Sequence, residues 1–284
     1  MERSRAFVFS LLLLIGILTG CTERMELELD ETYARLVVDG EITSETRAHC
    51  VRLTTSSSFL GEEPDLPVRG ASVRISDSHS IHVMKEDPDE PGHYYTDAQV
   101  KGIPGETYLL DIVLPEEING TDHYTAACPM LPVAQLDSIG IVWKEQWEVW
   151  EIQCFALDPP TTDFYLFDIL INDILVTDTI NERFVIDDRF FNGNYTNGAG
   201  IGYLSPDEGE NLQPGDKITV RTSRISKEYY DYFWEVVSET GYKNPLFGGP
   251  PANIKGNISN GGIGFFLACP VSETSAINEE GIAK

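Results

Sequence analysis

The sequence predicts a mainly β protein with one helix, and three observations point to this fold class. Glycine and proline, which favour turns, number 24 and 16 among the 284 residues and are spread along the chain. Many short segments alternate apolar and polar side chains with the period of two typical of half-buried strands. One late segment instead repeats its apolar residues every three or four positions, as a helix does.

The first predicted part, residues 32–131, reads as a series of short strands. In the first strand Leu36, Val38 and Ile42 share one face, and in the second Val51 and Leu53 do so. Further strands are expected near residues 67–75, 81–85, 93–96, 107–114 and 123–128. In the strand near residues 67–75, Ala71, Val73 and Ile75 share a face. Seven strands separated by turn signals within about 100 residues predict a β-sandwich.

Two strings in this first part resemble those of known sandwich domains. They are Pro91-Gly92-His93-Tyr94-Tyr95 and Gly102-Ile103-Pro104-Gly105-Glu106-Thr107-Tyr108. Similar strings occur in transthyretin-like sandwiches of secreted bacterial proteins. The resemblance therefore implies an Ig-like or transthyretin-like β-sandwich.

The second predicted part, residues 132–284, is mostly β with a helix at about 226–240. Strands are expected near residues 138–144, 149–157, 163–171, 174–177, 183–186, 217–222 and 262–269. Ser226 is a good helix N-cap and Gly241 a reasonable stop. The aromatic stripe between them is typical of a face that docks on a sheet. A barrel-like arrangement of the strands is our expectation for this part.

The N-terminus has the pattern of a lipoprotein signal peptide over residues 1–20. Arg3 and Arg5 precede an apolar run at 6–18 that is too short to span a bilayer, which needs about 20 apolar residues. The run ends in Leu18-Thr19-Gly20-Cys21, which looks like a lipobox. We therefore expect Cys21 to carry acyl chains that anchor the mature protein. Residues 21–31 read as an acidic tether.

The charge balance excludes several classes of partner. The chain has 46 Asp and Glu against 20 Lys and Arg, a net charge of -26. Removal of residues 1–20 takes away two arginines and one glutamate and leaves -27. A nucleic-acid binder needs a basic face, so no nucleic-acid partner is expected. Attachment to a membrane would come from lipid on Cys21 and not from charge.

No catalytic, cofactor or metal motif stands out, so we expect no enzyme activity, no cofactor and no metal. Nucleophile elbow, zinc-protease, Cys-x-x-Cys and phosphate-loop motifs do not occur. The five histidines read as exposed strand and turn residues. Acidic pairs such as Asp187-Asp188 and Asp207-Glu208 are explained most simply as solvated turn residues. They leave one alternative open, an envelope hydrolase or glycan-acting enzyme that uses paired carboxylates.

Four further cysteines, Cys50, Cys128, Cys154 and Cys269, follow Cys21. Export would permit disulfides. Cys154 and Cys269 both lie on apolar strand faces, so a bridge between them is one interpretation. Buried free thiols are the other. For Cys50 and Cys128 the strand parity disagrees, because Val51 and Leu53 face inward and turn Cys50 outward. The sequence leaves the disulfide state of all four residues open.

Several strings together resemble a Bacteroidota lipoprotein family described only as a domain of unknown function. They are the lipobox, Leu36-Val37-Val38-Asp39-Gly40-Glu41-Ile42-Thr43, Tyr232-Phe233-Trp234-Glu235, and the stretch 251–266 with its Gly256–Phe266 signature. Such proteins are commonly encoded beside TonB-dependent outer-membrane receptors. The resemblance implies a non-enzymatic accessory or binding component of such a receptor, anchored in the outer membrane and facing the periplasm or the exterior. It brings no catalytic residue.

The same signature supplies the candidate binding loop. Asn253, Asn257, Asn260 and Phe265 lie in or beside a stretch rich in glycine, proline and asparagine. One interpretation is a tight turn that enters the last strand and needs positive φ. The other is an ordered surface loop that contacts a ligand or partner. A purely structural envelope module, with neither ligand nor receptor, is a third function that the sequence leaves open.

Overall fold

A computed structural model describes residues 34–56, 66–241 and 254–279 of the chain. Within these ranges the protein forms eighteen strands, one α-helix and one short 3-10 helix at Pro206–Glu208. The predicted fold class, mainly β with a single helix, is therefore confirmed. The signal peptide, the tether and Cys21 lie outside the described residues.

The regular elements follow one another in chain order. Those of the first part are β1 (Leu36–Thr43), β2 (Cys50–Thr55), β3 (Leu66–Pro67), β4 (Ser72–Ser76), β5 (Ile81–Val83), β6 (Lys85–Glu86), β7 (His93–Tyr95), β8 (Thr107–Ile118) and β9 (Thr121–Pro129). Those of the second part are β10 (Ser138–Lys144), β11 (Val149–Phe155), β12 (Phe164–Ile171), β13 (Ile174–Leu175), β14 (Phe184–Asp187), β15 (Ala199–Leu204), β16 (Lys217–Ile225), α1 (Lys227–Thr240), β17 (Ile263–Cys269) and β18 (Ser272–Ile277).

These strands form four sheets. A six-stranded sheet has the order β17-β1-β2-β7-β6, with β3 beside β2, and a four-stranded sheet has the order β5-β4-β8-β9. A five-stranded sheet has the order β13-β12-β16-β18, with β14 also beside β12, and a three-stranded sheet has the order β10-β11-β15. All four orders are open, so the described residues do not form the barrel-like arrangement expected for the second part.

The six-stranded and four-stranded sheets share the first hydrophobic core. Leu36, Val38 and Ile42 of β1 are fully buried, and Val73 and Ile75 meet them from β4. The intervening residues of β1 and β4 point to the other faces. The period of two thus predicted the buried side of both strands correctly, and the two sheets lie face to face across these side chains.

The five-stranded sheet is covered on both faces. Leu166 and Ile225 belong to the first core, whereas Phe167 and Val220, on the opposite face, belong to a second core shared with the three-stranded sheet. This sheet therefore joins the two halves of the molecule. The cleft described below lies on the side that faces the first core.

The pairing of β17 does not follow the predicted division of the chain into residues 32–131 and 132–284. It pairs in parallel with β1, from Val37 opposite Ile263 to Thr43 opposite Cys269, and so completes the first sheet. Because both of its faces are covered, five successive residues from 265 to 269 are buried. A strand buried on both faces reads as a continuous apolar run and carries no signal for its partner. The predicted second part therefore returns to the first core near its end.

The structure confirms most of the features predicted for the helix α1. Ser226 accepts a hydrogen bond from the Tyr229 amide at 3.2 Å, as an N-cap does, and Gly241 is the C-cap. Tyr229 and Phe233 are buried in the first core, but Trp234 is 45% exposed. The aromatic stripe thus docks one side of the helix on the sheet. No helix in the described part of the chain is long and apolar enough to span a bilayer.

His49 is fully buried, which corrects the prediction that the histidines are exposed. Its Nδ1 accepts the Thr43 amide at 3.3 Å, and its Nε2 lies 3.2 Å from the Val100 carbonyl. The ring is therefore neutral, with the proton on Nε2. Burial, aided by the positive charge of Arg47, lowers the pKa of His49 to about 4.

The buried imidazole predicts a loss of stability on acidification. The unfolded chain takes up a proton near pH 6.5 and the folded chain only near pH 4. The contribution of the neutral, buried ring to the stability of the folded chain is therefore fully present above pH 6.5. This contribution declines by about 2 kcal/mol as the pH falls toward 4. We expect the difference in urea unfolding free energy between wild type and His49→Gln to shrink by this amount between pH 7.5 and pH 4.5. In Asn211→Ala, a change at an exposed residue that carries no titratable group, the difference should stay constant; equal behaviour of both variants would refute the assignment.

Candidate functional site

The predicted binding loop lies where the chain enters β17. Asn253 is outside the described residues, Asn257 and Asn260 precede the strand, and Phe265 is part of it. Asn260 has φ 54° and the next residue, Gly261, has φ 77°, so the turn uses the positive φ angles that the sequence predicted. The two asparagine side chains contact backbone, whereas Phe265 borders a cleft.

Asn257 and Asn260 hold this turn against neighbouring strands. Asn257 Oδ1 accepts the Phe266 amide at 2.9 Å, and its Nδ2 donates to the carbonyls of Phe266 at 2.9 Å and Ala127 at 3.3 Å. Asn260 Nδ2 donates to the His123 carbonyl at 2.7 Å. Both side chains therefore satisfy backbone groups of strands. A contact of the loop with a ligand or partner stays a prediction.

Asn257→Ala is expected to lower the unfolding free energy by about 2 kcal/mol, because the buried Phe266 amide and carbonyl lose their partner. Urea unfolding measures this loss. Asn211→Ala is the matched control, since Asn211 is exposed, and should change stability by less than about 0.5 kcal/mol. Equal losses in the two variants would show that the hydrogen bonds of the Asn257 side chain contribute nothing to the unfolding free energy.

A cleft of about 630 Å³ opens on the outer face of the six-stranded sheet. Asp39 and Glu41 line it because they alternate with the core residues of β1. Phe265 lines it from the adjacent β17, again on the outer face. The opposite wall is the five-stranded sheet, with Asp168 on β12 and Arg221 on β16. The cleft thus lies between two sheets that both contribute buried residues to the first core.

Two further elements complete the lining. The helix α1 contributes Tyr229 and Tyr232, and the segment after β13 contributes Asp178 and Arg183. These residues are distant in sequence from β1 and come together only because β17 and α1 return to the first core. No local sequence motif therefore predicts the cleft.

A row of alternating charges crosses the cleft. Arg47 pairs with Glu41 at 2.6 Å and with Glu45 at 3.5 Å. Glu45 also pairs with Arg221, which in turn pairs with Glu273 at 3.1 Å. The row links the loop between β1 and β2 to β16 and β18. It fixes the positions of side chains that long flexible stems would otherwise leave mobile.

A second ion pair lies deeper. The guanidinium of Arg183 donates to both carboxylate oxygens of Asp168, from Nε at 2.7 Å and from Nη2 at 2.6 Å. Burial disfavours the charge of Arg183, but the hydrogen bonds and charge of Asp168 outweigh burial and raise the pKa of the guanidinium. This bidentate pair is geometrically specific and well shielded, with the two side chains 22% and 14% exposed.

A separate cluster of three buried aspartates lies on the other side of the five-stranded sheet. Asp158 follows β11, Asp163 precedes β12 and Asp188 follows β14. Each offers a carboxylate oxygen within 4.8 Å of the other two. The guanidinium of Arg224 contacts Asp163 and is the cationic partner of the cluster. Three carboxylates are the donor set that a hard divalent cation takes, but here one of them is occupied by Arg224.

The aspartates are held by hydrogen bonds from the surrounding chain. Tyr165 Oη donates to Asp158 at 2.7 Å, and the Asp163 amide donates to Asp188 at 2.8 Å. Burial raises the pKa of Asp158 and of Asp188 above the usual range. Asp158 borders only a small cavity of about 20 Å³, enough for about one water molecule. This cavity is too small to hold a substrate.

The acidic pairs Asp187-Asp188 and Asp207-Glu208 contain residues in different environments. Asp188 is buried in the cluster, which corrects its interpretation as a solvated turn residue. Asp187 pairs with the exposed Arg189, and Asp207 is exposed in the 3-10 helix. Asp158 and Asp163 were missed, because each is one acid among many in an acidic chain and no spacing connects them.

The four cysteines beyond the signal segment are free thiols. Cys154 is buried in the second core and Cys269 in the first, where it borders the cleft. The bridge between them that the sequence left open does not form, because the five-stranded sheet contributes to both cores and separates their thiols. Burial raises the pKa of Cys154 and Cys269, so both thiols stay protonated and unreactive.

Comparison with protein families finds a match that covers most of the chain. A family model described as a domain of unknown function, DUF4249, matches residues 22–275, which is most of the sequence. No curated protein is significantly similar to the chain.

Proposed function

The chain belongs to the DUF4249 family, and we propose that it is a cell-envelope lipoprotein that binds a small ligand without transforming it. The charged cleft carries this proposal. Its volume of about 630 Å³ lies within the range of about 300–1,000 Å³ that small-molecule sites occupy. Its lining combines three aromatic rings with eight charged side chains, so it is more polar than the usual small-molecule site.

The preorganisation of the cleft supports a binding role over an accidental gap. An ion pair holds Glu45, in the loop between β1 and β2, to Arg221 on β16. Two hydrogen bonds from the guanidinium of Arg183 to Asp168 hold Arg183. Charged side chains fixed in this way present a defined pattern to a ligand and lose little entropy when it binds.

The alternative of an envelope hydrolase or glycan-acting enzyme has one observation in its favour, the convergence of Asp158, Asp163 and Asp188. A glycosidase needs two carboxyl groups on either side of an accessible bond. These three are buried, hydrogen-bonded and separated from the cleft by the five-stranded sheet. Three of the acids inside the cleft, Glu41, Glu45 and Asp168, are ion-paired. The non-catalytic role is therefore the better supported of the two.

The location and partner in this proposal come from the sequence. The string Leu18-Thr19-Gly20-Cys21 supports lipid attachment at Cys21, and the family resemblance supports the outer membrane and a TonB-dependent receptor as partner. In this role the protein would hold a ligand in the cleft beside the receptor that transports it.

Affinity purification of the tagged full chain from gently solubilised membranes tests the partner. We expect a TonB-dependent receptor to be recovered in roughly stoichiometric amount. Recovery of no such receptor from chemically cross-linked membranes would contradict the partnership, while leaving ligand binding to be judged by the experiment that closes the Discussion.

Replacing Cys21 with alanine is expected to release the protein from membranes, because only the cysteine thiol can accept the lipid. Fractionation of cells into soluble and membrane material, followed by detection of the tag, measures the release. Cys50→Ala, a change at a thiol within a strand, should leave the protein in the membrane fraction. A Cys21→Ala protein that stays in the membrane would refute lipid anchoring.

A further inference from the structure

The charges that line the cleft do not balance. Five carboxylates line it, from Asp39, Glu41, Glu45, Asp168 and Asp178, against three arginines. The lining therefore carries two negative charges in excess. A ligand with a positive charge would bring the occupied cleft closer to neutrality, whereas an anion would add to the imbalance.

The arginines are already committed to carboxylates. Arg47 and Arg221 each contact two carboxylates, and Arg183 donates two hydrogen bonds to Asp168. An anionic ligand would have to displace these bonds to reach a guanidinium. In contrast, Asp39 is exposed and its carboxylate has no hydrogen bond or ion pair with any described residue. The group that is ready to accept a ligand is thus an acid.

Three aromatic rings form a cluster beside this carboxylate. The centroid of Phe265 lies 5.0 Å from that of Tyr229 and 5.1 Å from that of Tyr232, and the two tyrosine rings are 6.0 Å apart. Phe265 and Tyr229 are buried, while Tyr232 is half-buried and lines the cleft. Phe265 is the register partner of Asp39 in the parallel pairing of β1 with β17, so the ring cluster lies beside this carboxylate on the outer face of the sheet. Burial and, as the smaller cause, the negative charge of Asp39 raise the pKa of Tyr232.

We propose that the cleft binds an organic cation, a ligand that carries a guanidinium or ammonium group, between the ring of Tyr232 and the carboxylate of Asp39. This inference rests on the proposed function, because it names the ligand class of the same cleft. An aromatic face attracts a cation through its quadrupole, by about 0.5–2 kcal/mol depending on how far the pair is desolvated. A carboxylate on the other side supplies the charge-assisted hydrogen bond.

Calorimetric titration of the detergent-solubilised full chain with capped Gly-X-Gly tripeptides tests the ligand class. X is arginine, its neutral isostere citrulline, or glutamate. We expect the arginine peptide to bind about tenfold more tightly than the citrulline peptide, and the glutamate peptide to show no binding. Butylguanidinium, which has no peptide backbone, distinguishes the two sources of the cation. Tighter binding of the arginine peptide assigns a basic peptide, and equal affinity assigns a free organic cation.

Variants link the charge preference to the two named groups. Asp39→Asn and Tyr232→Leu should each weaken the arginine peptide several-fold and leave the citrulline peptide unchanged. Asp122→Asn is the control, an exposed acid on β9 that does not line the cleft, and should change neither affinity.

Two results would overturn the ligand class. They are equal or weaker binding of the arginine peptide relative to the citrulline peptide, and no binding of the arginine peptide at millimolar concentration. Either result would leave the proposed function standing if the wild-type protein retains a neutral or anionic molecule in the cleft. The two failures can therefore be told apart.

Discussion

Replacing Gly264 with alanine is expected to lower the unfolding free energy by more than about 4 kcal/mol or to prevent folding. Gly264 has φ 95°, and a Cβ atom there would lie 2.0 Å from the Val38 carbonyl oxygen on the paired strand β1. Backbone atoms cannot yield as a flexible side chain can. The only relief is to move β17 away from β1, which would remove its buried side chains from the first core.

Gly261→Ala separates this close approach from backbone strain alone. Gly261 also has a positive φ, 77°, but a Cβ there would meet nothing within 4 Å. We expect a loss of about 1–2 kcal/mol from the left-handed conformation alone. Urea unfolding of both variants measures the difference. Equal losses would show that the contact between β1 and β17 does not require glycine.

The second large effect is expected at Arg224, the cationic partner of the three buried aspartates. Arg224→Leu would leave Asp158, Asp163 and Asp188 in a buried cluster without a compensating cation. Removing one partner of a buried ion pair costs about 3–5 kcal/mol. We expect a loss of this size in urea unfolding at pH 7.5.

The loss should shrink as the pH falls. Burial already raises the pKa of Asp158 and Asp188, and without Arg224 the folded cluster binds protons still more readily than the unfolded chain. Protonation therefore stabilises the folded variant relative to the unfolded one as the pH falls from 7.5 toward 5. Arg189→Leu is the matched control, because Arg189 is 67% exposed and pairs with Asp187 at the surface. It should lower the unfolding free energy far less than Arg224→Leu does, and an equal cost for both variants would refute a buried role for Arg224.

Local pattern was sufficient to predict the fold class and the buried faces of strands. The period of two identified the core residues of β1 and β4, and the N-cap Ser226 and the aromatic stripe identified α1. These features depend on neighbours within a few residues in the chain, so the sequence records them directly.

Pairing between distant strands was beyond local pattern. β17 was expected within the second part and instead pairs with β1, more than 200 residues earlier in the chain. The strand β15 (Ala199–Leu204) lies in a glycine-rich stretch that predicts a loop or bulged strand equally well. Periodicity tells which face of a strand is buried but not which strand lies beside it.

The candidate site was the least predictable part of the molecule. Phe265 was singled out for its family signature and does line the cleft, but Asp39, Arg183 and Arg221 carry no motif that distinguishes them in an acidic chain. His49 and Asp188 were misread because solvent exposure was inferred from residue type. Burial of a polar residue depends on partners such as Val100 and Asp163, which tertiary structure alone brings near.

The central claim is that the cleft holds a small ligand, and native mass spectrometry of the protein released from its membranes tests it most directly. Leu175 lines the cleft on β13 and is 38% exposed, so Leu175→Trp should obstruct it; Ile174→Trp, at the exposed neighbouring position outside the lining, is the control. We expect wild type and Ile174→Trp to retain the same small molecule from the growth medium and Leu175→Trp to lose it. Retention of that molecule by all three proteins, or retention of none by the wild type, would contradict a binding function for the cleft.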